Sequence, residues 1–385
     1  MHSIDPSKIE RTPAFVVSRG AIERNLQLLR RVQDEAGCKI ILALKGFALF
    51  GLADTIREYL PGVAASGLHE ARLGREEFRG EVHTYSAAFS EHDFVETLAQ
   101  SDTIIVNSFE QLERLRPLYL RYLEESGRKV ELGLRVNPQY SEVEVELYDP
   151  CAPGSRLGTP HSAFEGRSLE GVTGLHFHAL CEQGADVLER TLQKVEERFG
   201  ETIKQMRWVN FGGGHHITRE GYDVEGLIRT IKAFRERYDV EVILEPGEAI
   251  ALGTGVLITS VLDTPRTEIP TAILDTSITC HMPDCLEMPY RPEIVGAGLP
   301  GEKPHTYRLG GLSCLAGDVA GDFSFDAPLE LGQRLVFLDM AHYTMVKTTT
   351  FNGVPLPDIV VWEDARGEAK LIKRFGYEDY RDRLS

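Results

Sequence analysis

The sequence predicts an α/β protein, a (β/α)8 TIM-like barrel with a second, mainly β C-terminal domain. Three observations carry this reading. Eight short apolar runs of strand length recur between residues 39 and 246. Most are followed by apolar residues at helical spacing, and strands alternating with helices build a parallel sheet that closes at eight units. Past residue 255 the helical periodicity fades, and short strand-like runs with turns between them take over.

Taken in order, residues 12–18 (T-P-A-F-V-V-S) read as a short strand. Residues 19–37 read as a helix, with Ile22, Leu26, Leu29 and Val32 on one face and Gly37 closing it. The first barrel strand lies in K-I-I-L-A-L-K-G at 39–46 and ends on Lys45. Later strand candidates end near Ser66, Ser86, Asn107, Asn137, Ala179, Gly212 and Pro246. Amphipathic helices are expected over 52–60, 91–99, 109–123, 186–199 and 224–238. Further strands are expected at 256–262, 271–274, 306–309, 334–339 and 359–362. The strand at 14–17 has no place in the barrel and is expected to pair in the β domain. The expected division is therefore a barrel over 18–249 and a β domain made of 1–17 and 250–385.

Bulk properties narrow the function. A net charge of -17 disfavours nucleic acid or an anionic membrane as partner and suits a small cationic substrate. No apolar run approaches the ~20 residues of a membrane span, and the N-terminus has no apolar signal core. The six cysteines form no CxxC pair, which fits free thiols in a reducing cytoplasm.

In a barrel of this kind the chemistry sits at the C-terminal ends of the strands. Lys45, Asn107, Arg135, His176, His178, Gly212–Gly214 and Glu245 all fall there. A lysine partly withdrawn from water deprotonates more easily, and a neutral amine attacks a carbonyl to form a Schiff base. Three glycines in N-F-G-G-G-H-H expose backbone amides that cradle a phosphate, although a tight turn is their ordinary role. Glu245, in E-P-G-E, suits a cation or a protonated ring nitrogen. His176 and His178 lie two apart on a strand and point the same way, to bind metal or to stack on a flat cofactor. A Schiff-base lysine, a phosphate loop, a carboxylate for a ring nitrogen and a flat histidine are together what pyridoxal phosphate requires.

The motifs A-L-K-G, G-L-H-F-H, F-G-G-G and E-P-G of the barrel, with G-L-S-C-L-A-G-D and H-Y-T…F-N-G of the β domain, carry a resemblance. In that order, and over nearly the whole chain, they resemble the pyridoxal-phosphate decarboxylases of the alanine-racemase-like fold (fold type III). Within that family, H-A-L-C-E, E-P-G-E and L-D-T-S-I-T-C-H-M-P-D look like the branch acting on carboxynorspermidine. The resemblance implies decarboxylation of carboxynorspermidine to norspermidine, and of carboxyspermidine to spermidine, by a homodimer with shared sites. It implies that Lys45 holds pyridoxal 5'-phosphate, His178 stacks on its ring, and Gly213 and Gly214 take the phosphate with the partner subunit's Tyr343. Glu245 is implied at the pyridine nitrogen, Arg135 nearby, and the partner subunit's Cys314 as proton donor to the product carbon. A glutamate at that nitrogen points to decarboxylation, because racemases of this fold carry arginine there.

The family's usual E-P-G-R has arginine where this chain has Glu248. Glu248 is therefore expected to turn to a substrate amine. Asp284 and Glu287, in the segment corresponding to the family's specificity segment, and Asp318 after Cys314, are further candidates for substrate contact. A diaminopimelate or ornithine decarboxylase is the nearest alternative; the former needs a cationic group for a distal carboxylate. A metal-dependent barrel hydrolase using His176, His178, His215, His216 and Lys45 is more remote, since its H-x-H pair usually sits on the first strand. A non-catalytic pyridoxal-phosphate carrier would lack the β domain. No metal is expected.

Overall fold

A computed structural model describes residues 4–385. The chain divides into two compact units, Asn25–Ile250 and the remainder, the latter joining residues up to Arg24 with Ala251–Ser385.

The unit Asn25–Ile250 is a closed parallel barrel. Its first strand is one extended segment interrupted at Ile41: Lys39–Ile40 pairs with Glu241–Leu244, and Leu42–Ala43 pairs with Gly62–Ala65. The path then runs through Glu81–Tyr85, Thr103–Val106, Glu131–Asn137, Gly174–His176 and Trp208–Asn210 back to Glu241–Leu244. Amides of Ile41 and Ala43 donate to the carbonyls of Leu244 and Pro246, which seals the seam. Each strand on this path thus has a neighbour on both sides, and the sheet presents no long open edge.

The bore is filled by Ile41, Ala43, Ala64, Ile105, Trp208 and Ile243. Two glycines make room for the one large ring: a Cβ at Gly133 or Gly174 would fall on Trp208. The expected helices are present as Glu91–Gln100, Phe109–Ser126, Ala185–Ile203 and Val224–Tyr238. The expected helix at 52–60 is shorter, a single 3-10 turn Phe50–Leu52 running into Ala53–Arg57. No helix among the described residues is long and apolar enough to cross a membrane.

In the other unit the strand Ala14–Ser18 lies between Gly255–Asp263, antiparallel, and Asp358–Glu363, parallel. The sheet extends through Thr271–Leu274, His305–Gly310 and Val319–Phe325 on one side and Glu368–Lys373 on the other, with Arg334–Leu338 also pairing Gly255–Asp263. Phe15, Leu257, Phe323 and Phe337 pack on one face, while Val16, Ile258 and Trp362 pack on the other. Alternate residues of the same strands therefore feed two cores. Two short helices, Ile278–His281 and Asp284–Glu287, follow Thr271–Leu274.

Candidate active site

Strand register places the barrel's polar groups in one layer. Arg135 pairs with His176, and His176 pairs with Asn210, across three neighbouring strands. Glu245 follows the last strand and reaches back over this layer. Asn210 Nδ2 donates to Glu245 Oε1 at 2.6 Å, and His176 Nε2 contacts Glu245 Oε2 at 3.2 Å. Tyr85 stacks on His176 at 5.5 Å, and the Arg135 guanidinium lies 4.5 Å over the Tyr85 ring. Packing from one side chain to the next fixes each rotamer.

The electrostatics follow from burial and neighbours. Burial raises the Glu245 carboxyl, but His176 and Asn210 outweigh it and hold the group below the usual carboxylate range. Lys45 is reached by water, yet protein crowds it on almost every side. That desolvation, with the positive charge of Arg135, lowers its amine below the ordinary lysine value. Desolvation, Lys45 and Arg135 together push His178 well below the usual imidazole value, so its ring is neutral.

The glycine loop is specialised amide by amide. Gly212 N–H donates to Asn210 Oδ1 and Gly213 N–H donates to His178 Nδ1, both at 2.8 Å. The second bond locks the plane of the His178 ring. Gly213, expected at a phosphate, thus spends its amide on that histidine. Among the described residues the amides of Gly214 and His215 have no acceptor. A Cβ at Gly213 would stand 2.6 Å from Glu245 O, and one at Gly214 would fall on Leu180 O. These observations fit pyridoxal phosphate: a basic amine, a flat locked ring, a buried carboxylate and two unpaired amides that an anion satisfies. Glu248 opens the short helix Glu248–Ala251, with its Oε1 3.5 Å from His216 Nε2, and supplies no positive charge to a phosphate.

The other unit holds the remaining candidates. Cys314 is exposed, and its amide donates to Asn352 Oδ1 at 2.7 Å, which ties the cysteine loop to the F-N-G turn. Tyr343 sits at φ 44°, in the left-handed region that ordinary side chains seldom adopt. Lys347 Nζ bonds both Asp284 and Glu287. The two carboxylates expected to take a substrate amine already share an ammonium of this chain, a partner that lies 60 residues or more away and that sequence reasoning missed.

Asp318, expected at the substrate, is already engaged within its own chain. It is 3% exposed, and its oxygens accept from Ile278 N (2.7 Å), Thr279 N (3.0 Å), Ser277 Oγ (2.9 Å) and Ser313 N (2.9 Å). Four acceptor sites meet four donors, so none is left for a substrate. Gly311 leaves space for the carboxylate, since a Cβ there would crowd all three of its terminal atoms. The residue clamps the cysteine loop to the segment carrying Asp284. Asn210, which holds Glu245, was also missed; its place directly before F-G-G-G is the one signal for it.

Comparison with known proteins supplies the frame. A family model described as "Pyridoxal-dependent decarboxylase, C-terminal sheet domain" matches residues 15–341. A carboxynorspermidine/carboxyspermidine decarboxylase of Campylobacter jejuni is 44% identical over 380 residues, covering 96% of this chain and 97% of that protein. A carboxyaminopropylagmatine decarboxylase of Synechocystis is 47% identical over 375 residues, covering 97% and 95% respectively. The crystal structure of the C. jejuni carboxynorspermidine decarboxylase complexed with norspermidine superposes with a TM-score of 0.88 at 43% identity, covering 97% of this chain and 100% of that one. With the barrel, the sheet unit and the site geometry in agreement with these matches, the chain belongs to the pyridoxal-dependent decarboxylases, enzymes whose cofactor is pyridoxal phosphate.

Proposed function

We propose that this chain decarboxylates a carboxylated polyamine, carboxynorspermidine to norspermidine and carboxyspermidine to spermidine, in polyamine biosynthesis. The observation that carries the substrate class is Glu248, a carboxylate three residues after Glu245 and beside His216. An acid there attracts an ammonium and repels a second carboxylate, which argues against diaminopimelate. The named substrates of the C. jejuni relative, and the norspermidine in its crystal structure, belong to the favoured class.

Bound pyridoxal phosphate supplies the electron sink for the pair left behind when carbon dioxide departs. The side chains do the rest. Lys45, its amine lowered below the ordinary lysine value, deprotonates more easily and would be the nucleophile that holds the cofactor. His178 presents a flat, neutral face whose tilt Gly213 fixes. Glu245, its carboxyl held below the usual range, would pair with the cofactor's ring nitrogen and favour its protonated form, with Arg135 at the edge of the same layer. Gly214, with Gly213 as its neighbour, and the partner subunit's Tyr343 take the phosphate. The partner subunit's Cys314 delivers from Sγ the proton that replaces the lost carboxylate. Asp284, Glu287 and Lys347 sum to one net negative charge and so accept one more amine. Asp318 acts by positioning. The homodimer, and the assignment of 18–249 to cofactor binding and of 1–17 with 250–385 to completing the partner's site, belong to the same proposal.

The 47% identity to the Synechocystis relative favours a second reading, in which the substrate ends in a guanidinium. The same acidic groups accept either cation. The test of the cofactor role is Lys45→Ala: borohydride fixes the cofactor covalently to the native protein and leaves the variant unlabelled. Labelling of the variant refutes the assignment of Lys45.

A further inference from the structure

Three barrel-mouth residues outside the cofactor layer converge: Glu182, His216 and Glu248, each offering one ligand atom, with these atoms all within 4.8 Å of one another. They come from separate segments. Glu182 sits at φ 55° after H-A-L-C, His216 follows the glycine loop, and Glu248 follows the last barrel strand. The bridge between Gln183 and His215, with Gln183 N donating to Gly214 O at 3.0 Å, holds the first two segments side by side.

His216 is the informative member. It is 6% exposed, and neither ring nitrogen has a hydrogen-bond partner among the described residues. Its Nε2 stands 3.5 Å from Glu248 Oε1, too long for a good hydrogen bond. Buried polar atoms are nearly always satisfied, so an orphaned imidazole aimed at two carboxylates marks a missing donor. With no two of the three ligand atoms more than 4.8 Å apart, and His216 Nε2 only 3.5 Å from Glu248 Oε1, a single atom placed among them lies within about 2.8 Å of each. That is within reach of charge-assisted N–H···O bonds from one donor group. The Cys181 thiol feels the charges of Glu182, Glu248 and Lys45 together, so the cluster and the lysine share one neighbour.

We infer that Glu182, His216 and Glu248 form a three-acceptor socket for one ammonium of the substrate. This rests on the polyamine reading above and deepens it, because Glu182 and His216 become specificity residues alongside Glu248. An ammonium placed there carries three N–H donors, one for each acceptor.

The test uses the cofactor-loaded protein with norspermidine as probe, in titration calorimetry, alongside metal analysis of the purified protein. Glu182→Gln is the primary variant because the residue is exposed and tolerates an isosteric change. Glu248→Gln and His216→Gln complete the set. Each is expected to weaken norspermidine binding about tenfold and raise KM more than it lowers kcat, with cofactor content unchanged. Native affinity in both glutamate variants overturns the socket. So does a stoichiometric divalent metal whose removal by chelator abolishes norspermidine binding, which makes the cluster a metal site. If the native protein neither binds norspermidine nor decarboxylates a carboxypolyamine, the functional reading fails first and the socket with it.

Discussion

Replacing Asp318 by alanine removes an acceptor that four donors share. Three of these are backbone amides, those of Ile278, Thr279 and Ser313, and the fourth is the Ser277 hydroxyl. A buried donor left without an acceptor costs about 1–3 kcal/mol, and bonds to a charged acceptor are the stronger kind. Ile278 is fully buried and bears the full cost, while Thr279 and Ser313 are only partly shielded and recover some of it from water. Together they give about 3 kcal/mol of local destabilisation, roughly a hundredfold in an opening equilibrium. Asp318→Asn keeps the shape and one good acceptor oxygen, but turns an amide NH2 toward a donor, so its cost is about 2 kcal/mol. Amide hydrogen exchange reads this directly. Protection at Ile278, Thr279 and Ser313 should fall about a hundredfold in the alanine variant and less in the asparagine variant. A lower kcat is expected too, because the loop bearing Cys314 loses its clamp. Unchanged protection accompanied by a raised KM would refute the positioning role and return Asp318 to substrate contact.

Gly214→Ala, at φ 83° with its Cβ falling on Leu180 O, should cost about tenfold or more in cofactor affinity, measured by retention of the visible cofactor absorption on dialysis; full retention would mean that the loop does not hold the phosphate. Burial pushes His281 and His215 down to about 4 from 6.5, so both remain neutral in the fold while the unfolded chain takes up protons. Stability from these two is complete above pH 6.5 and is lost as pH falls from 6.5 toward 4, by about 3 kcal/mol for each residue. Histidine NMR titrations should show both rings unprotonated at pH 5.5, and midpoints near 6.5 would contradict this.

The barrel was readable because its strands are short, mostly apolar runs, most of them stopping at a polar or glycine residue. Lys45, Arg135, His178 and Glu245 became candidates because they fall at or near those strand ends. Other features have no local signal. The helix Leu68–Leu73 and the turn after it are rich in charge and carry Gly74 in the middle. Val319–Phe325 is a strand despite Gly321 and Asp322, because Phe323 and Phe325 fill the core from one face. Glu368–Lys373 is a mostly exposed edge strand whose charges hide its alternation. At the site, acidic residues look alike in sequence. Only packing separates Asp318, saturated by four donors, from Asp284, paired with Lys347, and from Glu248, beside an orphaned histidine. Partners brought together across tens of residues are set by the fold, and no spacing rule announces them.

The most direct measurement is carbon dioxide release by the cofactor-loaded protein. Carboxynorspermidine, carboxyspermidine, carboxyaminopropylagmatine, diaminopimelate and ornithine should be offered side by side. Release from the carboxypolyamines, with little from diaminopimelate or ornithine, is the predicted result. Preference for carboxyaminopropylagmatine would keep the acidic socket and change its cation to a guanidinium. Turnover of diaminopimelate or ornithine alone, or none by protein that binds the cofactor, would contradict the proposed activity.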